Sequence, residues 1–202
     1  MMIIVAILAE TAIFQYMGIK LSKISKGSLY MLLVLLGTFT AVSSMFIDNV
    51  TALLLMVPVT ISVFRILNLS PIPFILAQVL TSNVGGGATL IGDPPNILIG
   101  SAANIDFNSF IIHLGPAIAL SFAASLILLK LLFRKDFKVK PQHLDELMSR
   151  HENVFIAENK GLMKKSVAVL FSVIVLFVIL GGLHVAPSLI ALSGAATLIL
   201  IT

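Results

Sequence analysis

Long apolar runs, each interrupted by a short polar cluster, constrain this chain more than any other feature. The first run, from Met1 to about Ile19, is apolar except for Glu10, Thr11 and Gln15. Others cover Ser28–Ile47, Ala52–Phe64, Pro73–Ala103, Phe110–Phe133, Val167–Leu183 and Pro187–Thr202. About 20 residues of helix cross the hydrocarbon core of a bilayer, and several of these runs approach or exceed that length. Hydrophobic residues make up 58% of the chain and charged residues 11%, against about 25% charged in an ordinary soluble domain. One soluble core has no room for so much apolar surface. The runs therefore predict an all-α, polytopic integral membrane protein.

Composition excludes several other classes. Cysteine is absent, so nothing points to thiolate metal sites or disulfides. The net charge of +4 does not indicate a nucleic-acid partner, because the basic residues lie in loops and near helix ends, as a membrane topology requires. No nucleophile–base pair, phosphate loop or dinucleotide motif occurs, so we expect no enzyme, no catalytic residues, no metal and no resident cofactor. His113 and His184 lie near the outer ends of apolar runs and read as interfacial side chains. No basic region precedes the first apolar run, as a cleavable leader would require. Both ends fall inside apolar runs, which leads us to expect a fragment of a longer protein.

The charges order the topology. Lys20, Lys23 and Lys26 follow the first run, Arg65 closes the third, and Lys130 to Lys165 carry most of the rest. The stretch Asn104–Ser109 has no basic residue. By the positive-inside rule, loops 20–27, 65–70 and 134–165 are cytoplasmic and 104–109 is outside. Residues 134–165 form a hydrophilic linker, and residues 141–158 within it could form a short surface helix. The basic run Lys130–Lys140 reads as a topology anchor near anionic lipid.

Two reversals must fit between the cytoplasmic loops at 20–27 and 65–70. They make either two full spans joined outside at Asp48 or a re-entrant hairpin whose tip stops in mid-membrane. The second leg, Ala52–Phe64, is about 20 Å of helix against a core of about 30 Å, and Pro58 weakens a straight crossing. The hairpin is therefore the favoured reading. Non-helical backbone at that depth persists only where protein buries it or where it lines a cavity.

Three carboxylates fall in apolar runs: Glu10, Asp48 and Asp93. An ionisable group inside a membrane is costly and points to function. Asp48 has a plain alternative role as N-cap of the second leg. The tip also offers Asn49 and Thr51, so carboxylate, amide and hydroxyl can meet a cation or proton beside two half-helix ends. A second break runs from Ser82 to Asn96. Its Gly85, Gly86 and Gly87 free the backbone to turn and to approach a ligand closely, or serve close helix packing. Asp93 suits an N-cap position followed by Pro94. Packing alone does not explain Ser82, Asn83, Thr89, Asp93 and Asn96 in one apolar span. Glu10 is a possible coupling group, or pairs with a neighbouring helix.

Two stretches carry a family resemblance. Residues 43–58, from Ser43-Ser44-Met45-Phe46-Ile47-Asp48-Asn49 through Pro58, resemble the first hairpin of the ion transporter superfamily. Residues 82–96, Ser82-Asn83-Val84-Gly85-Gly86-Gly87 through Asp93-Pro94-Pro95-Asn96, resemble the broken helix that follows it. The branch is that of arsenite permeases and the P protein, with a citrate transporter-like domain, related to dicarboxylate symporters and sodium/proton antiporters. The resemblance implies two inverted repeats, each with a re-entrant hairpin and an unwound helix, and a homodimer. Carried over by position, it implies substrate or ion binding by Ser44, Asp48, Asn49 and Thr51 at the tip, and by Asn83, Gly86, Gly87, Thr89 and Asn96 at the break. Asp48 stands where the dicarboxylate branch has serine. A fixed carboxylate repels an anion unless a cation or proton intervenes, so the departure disfavours dicarboxylate and fits cation or proton coupling.

These readings predict a first repeat over 1–134, a linker over 135–165 and the start of a second repeat over 166–202. They predict a secondary transporter of a small inorganic or organic anion, of arsenite or citrate/dicarboxylate type, coupled to Na+ or H+ in the inner cell membrane. The alternatives are a sodium/proton antiporter and, from another class, a truncated, non-transporting membrane fragment.

Overall fold

A computed structural model describes residues 3–4, 6–7, 13–25, 28–67, 69–134, 137, 160–181 and 187–201. Every regular element among them is a helix: α1 Ile13–Ile24, α2 Leu29–Ser44, α3 Asn49–Ile66, α4 Ile72–Gly86, α5 Pro94–Ala103, α6 Phe107–Leu132, α7 Lys160–Gly181 and α8 Pro187–Ile201. Glu10 and Thr11, the expected surface helix at 141–158 and His184 lie outside the described residues.

Local chemistry sets most of these boundaries. Ser28 starts α2 by accepting the Met31 N–H, and Asp48 starts α3 by accepting the Thr51 N–H. Side-chain oxygens at such positions satisfy backbone donors that have no partner inside the helix. Pro71 precedes α4, and Pro94 opens α5. Asn104 ends α5 in the left-handed conformation, with φ 52°. Asp106 then accepts the N–H groups of Asn108 and Ser109 and starts α6 three residues before the expected Phe110.

Three expected boundaries shift. The helix α1 continues through Lys20 and Lys23, so the polar loop after it is shorter than 20–27. Lys20 folds back over the Tyr16 ring, 5.8 Å from its centroid, one turn earlier on the same face. The second hairpin leg begins at Asn49 because Asp48 caps it there. It runs for 18 residues, about 27 Å, through Pro58. The expected 13-residue leg was too short, so leg length no longer argues for a re-entrant hairpin. The helix α7 begins at Lys160, inside the expected linker.

Among the described residues, α6 alone is long and apolar enough to cross a membrane unaided, with 26 residues. The shorter apolar helices α2, α3 and α4 pack together. Leu32, Leu33 and Leu36 of α2 meet Met56, Val63 and Phe64 of α3 and Phe74 of α4 in one buried cluster, which Leu129 of α6 joins. A second cluster gathers Leu90, Phe107, Phe110, Val173 and Leu198. Leu90 lies between α4 and α5, so the break is held against the start of α6 and against α7 and α8.

The closest approach is between α2 and α4. A Cβ on Gly85 would overlap the Ala41 carbonyl, and one on Gly37 would lie 3.3 Å from the Thr81 methyl. Small residues let helix backbones come together where lipid supplies no hydrophobic drive. The helices α3 and α4 run antiparallel, with the Phe64 and Phe74 rings 3.9 Å apart at one end. Further along, Gln78 and Thr60 meet, both fully buried.

Candidate functional site

The two breaks read from the sequence lie against each other. Ser44, the last residue of α2, donates its hydroxyl to the Ser82 carbonyl of α4 at 2.7 Å. Asn49, the first residue of α3, donates its amide to the Asn83 side-chain carbonyl at 3.0 Å. The Thr89 hydroxyl, between α4 and α5, donates to the Met45 carbonyl at the hairpin turn. The hairpin tip is thus fastened to the broken helix at three points.

The break is also closed on itself. Asn96, in the first turn of α5, donates to the Gly86 carbonyl at 3.2 Å and the Thr89 carbonyl at 3.0 Å. The Gly92 N–H is received by the Thr89 hydroxyl at 3.1 Å. Unpaired carbonyls at the end of α4 would be costly in an apolar setting. Asn96 removes that cost at Gly86, and the Thr89 hydroxyl pairs the Gly92 N–H.

The two aspartates divide differently. Asp48 takes the capping role: one of its oxygens receives both the Thr51 N–H at 3.0 Å and the Thr51 hydroxyl at 2.7 Å. Asp93 occupies the N-cap position of α5 but makes no capping hydrogen bond. Its carboxylate turns toward Gly86, where a Cβ would lie 3.0 Å from Oδ2.

The glycines act by close approach. None of Gly85, Gly86 and Gly87 takes left-handed backbone, and Gly87 has φ −68°. The expectation that they free the backbone to turn is therefore corrected: their missing side chains matter more than their φ range. Gly85 admits the α2 backbone, Gly86 admits the Asp93 carboxylate, and Gly87 faces the Ile118 methyl of α6.

Of the expected site residues, Ser44, Asp48, Asn49, Thr51, Asn83, Gly86, Gly87, Thr89, Asp93 and Asn96 all fall at this junction. Glu10 lies outside the described residues. The Asn49–Asn83 bond is on the exposed side, whereas Ser44, Ser82 and Thr89 are buried. Sequence reasoning passed over Gly92, whose Cβ would press on the Ser44 and Gly86 carbonyls. It also passed over the Thr60–Gln78 pair. Gly92 was legible as the sixth small residue in Gly85-Gly86-Gly87-Ala88-Thr89-Leu90-Ile91-Gly92, a stretch without bulk at its ends. Gln78 was legible as a lone amide in the apolar run before the break.

An apolar bundle whose two helix breaks are paired with each other suits an integral membrane protein. The chain belongs to the citrate transporter family, which matches it over residues 1–202. It is 43% identical over 202 residues to a 46 kDa membrane protein of Mycobacterium leprae, covering all of this chain and 47% of that protein. It is 40% identical over 202 residues to an uncharacterized transporter of Mycobacterium tuberculosis, again covering 47% of it. The human P protein is 40% identical over 159 residues, 75% of this chain and 19% of that protein. The chain spans about half the length of these mycobacterial relatives. The family and these mycobacterial relatives are named as transporters or membrane proteins, not as enzymes.

Proposed function

We propose that this chain forms one side of the substrate and coupling-ion site of a secondary transporter that carries a small anion with a cation or proton. The observation that carries the reading is the junction of tip and break through Ser44–Ser82, Asn49–Asn83 and Thr89–Met45. Broken helices that meet in this way present half-helix ends and unwound backbone to ligands at the bilayer midplane.

Depth supports the re-entrant hairpin. If Ile72 lies at the cytoplasmic face, Asn83 is about 17 Å along α4, near the middle of a core of about 30 Å. Asn49 is bonded to Asn83, so the hairpin tip stops at the same level. The loops after α1, at 65–70 and at 134–165 are then cytoplasmic, and 104–109 is outside. Residues 1–134 form a first repeat, 135–165 a linker and 166–202 the start of a second, inverted repeat. The exposed side of the Asn49–Asn83 pair is where residues of that second repeat complete the site. By family resemblance the protein is a homodimer in the inner cell membrane.

Charge supports coupling. Between Lys26 and Lys130 the sequence has one basic residue, Arg65, which is about 24 Å along α3 from Asn49. Asp48 and Asp93 therefore share one junction in an apolar setting, far along the sequence from the basic residue of this stretch. Two carboxylates at one junction favour binding of a cation or a proton, and that positive charge in turn permits an anion nearby. Arsenite-type and citrate/dicarboxylate-type anions both fit this logic. A sodium/proton antiporter uses the same carboxylates without the anion.

The test is uptake by the full-length protein in proteoliposomes. Labelled citrate or arsenite should accumulate only under an inward Na+ or H+ gradient, and Asp48→Asn should abolish it. Sodium movement driven by a pH gradient alone, with no anion carried, would establish the antiporter instead. Labelling of a cysteine at Asn49 from outside as fast as one at Asp106 would refute the re-entrant hairpin.

A further inference from the structure

The end of the bundle opposite the tip carries a row of aromatic rings that the transport reading does not use. The Phe64 ring of α3 lies 3.9 Å from that of Phe74 on α4. Phe74 meets Phe137 edge-on at 6.2 Å, and Phe137 meets Tyr30 of α2 edge-on at 5.9 Å. The Lys130 ammonium of α6 sits over the Tyr30 ring, 4.6 Å from its centroid. Phe137 follows α6 in the chain, and its ring sits against the starts of α2 and α4.

The sequence around Phe137 is strongly basic. Residues 130–140 hold Lys130, Arg134, Lys135, Lys138 and Lys140 against the single acid Asp136. Lys130 and Arg134 are exposed. A cation over an aromatic face keeps its N–H donors, so Lys130 is positioned by Tyr30 without being consumed. The starts of α2 and α4 lie at this end too, and helix N-termini favour negative charge.

We infer that Lys130 and Arg134, at the end of α6 where the Phe137 ring packs on α2 and α4, bind the phosphate headgroup of an anionic phospholipid. The inference rests on the membrane topology proposed above, which puts the ends of four helices at one bilayer surface. Charge complementarity and that height select lipid over a soluble anion. Rings at the headgroup level match the ordinary placement of interfacial aromatics. Without the Phe137 ring the stack that fixes the end of α6 beside Tyr30 and Phe74 is broken.

Binding separates this site from the transport site, because it is read without a gradient or a carried anion. Labelled full-length protein in neutral detergent is titrated with dioctanoyl phosphatidylglycerol, dioctanoyl phosphatidylcholine or inorganic phosphate. A basic residue near an anionic surface contributes about fivefold in affinity. Lys130→Gln with Arg134→Gln should therefore weaken phosphatidylglycerol binding about thirtyfold and leave phosphatidylcholine unchanged. Both side chains are exposed, so this variant keeps its fold. Phe137→Ala should weaken the anionic lipid by about fivefold or more, with both contacts still present. Equal binding of the two lipids by the parent, or an unchanged double variant, overturns the inference. So does inorganic phosphate that competes at the lipid's own concentration.

Discussion

Removing one hydroxyl from the seam between α3 and α4 tests whether buried polar contacts hold the hairpin against the broken helix. Gln78 and Thr60 are both 0% exposed. The Gln78 amide donates to the Thr60 hydroxyl at 2.9 Å. That hydroxyl also lies 3.1 Å from the Met56 carbonyl and 3.1 Å from the Gln78 side-chain oxygen. Thr60→Val keeps the shape and leaves the Gln78 amide without its partner. An orphaned buried amide costs about 1–3 kcal/mol, whereas side-chain hydrogen bonds between membrane helices average about 0.6 and reach about 1.7 kcal/mol. The ranges overlap near 1–2 kcal/mol, which is the expected loss. Gln78→Leu should lose less, because the Thr60 hydroxyl keeps the Met56 carbonyl. In the double variant both partners are apolar, which restores much of the loss. At about 2–4 °C per kcal/mol for a chain of this size, thermal unfolding in detergent resolves the differences. The reasoning fails if Thr60→Val unfolds with its parent, or if the two losses add within about 0.3 kcal/mol.

Three other outcomes follow from single positions. Gly85→Ala places a methyl on the Ala41 carbonyl and should cost about 1–3 kcal/mol as the helices separate, whereas Gly87→Ala meets only the flexible end of Ile118 and should cost less; parallel melting curves rank the two. Asn49→Asp sets a third carboxylate at the tip and should abolish anion uptake while the protein still folds, as checked by proteoliposome transport and gel filtration. The Asp106 carboxyl is held below the ordinary carboxylate range, first by the Ser109 hydroxyl and then by backbone N–H groups. With its folded pKa below the unfolded one, its contribution is complete above the unfolded pKa and fades as pH falls through the folded value. The melting difference between the parent and Asp106→Ala should therefore be constant near neutrality and shrink below about pH 4.

The helices and both breaks were legible because each leaves a local mark. Polar clusters inside apolar runs located Asp48-Asn49 and Ser82–Asn96, capping chemistry explains why α3 and α6 start after Asp48 and Asp106, and Pro94 opens α5. The length of α3 was misjudged because Asn49 and Thr51 look like loop residues in a row but fit the first turn of a capped helix. The partners at the junction were not legible. Nothing in the spacing says that Ser44 meets the Ser82 carbonyl, or that Thr89 reaches back 44 residues to Met45. Those contacts arise from packing of α2 on α4, which Gly37 and Gly85 permit. The Thr60–Gln78 pair escaped for the same reason: each residue alone looks like a tolerated polar side chain.

The junction also sorts residues that the sequence presents as equivalent. A helix break in an apolar medium must find partners for its backbone, and here the partners are side chains of the same break or of the other one. Ser44 serves Ser82, Thr89 serves Met45, Asn96 serves Gly86, and Asp48 serves the first turn of α3. These groups hold the site open, and replacing any of them leaves a carbonyl or an N–H unpaired. Their loss should therefore appear first as instability and only then as lost transport. Asp93 is different. It stands at the start of α5, makes no capping bond and faces the backbone that Gly86 lays bare. Asn83 is exposed; its side-chain oxygen accepts from Asn49 and its amide donates to the Val79 carbonyl, which leaves one N–H over. The polar groups with capacity to spare are on this side, and a ligand that enters the junction meets them before it meets the groups that hold the breaks together.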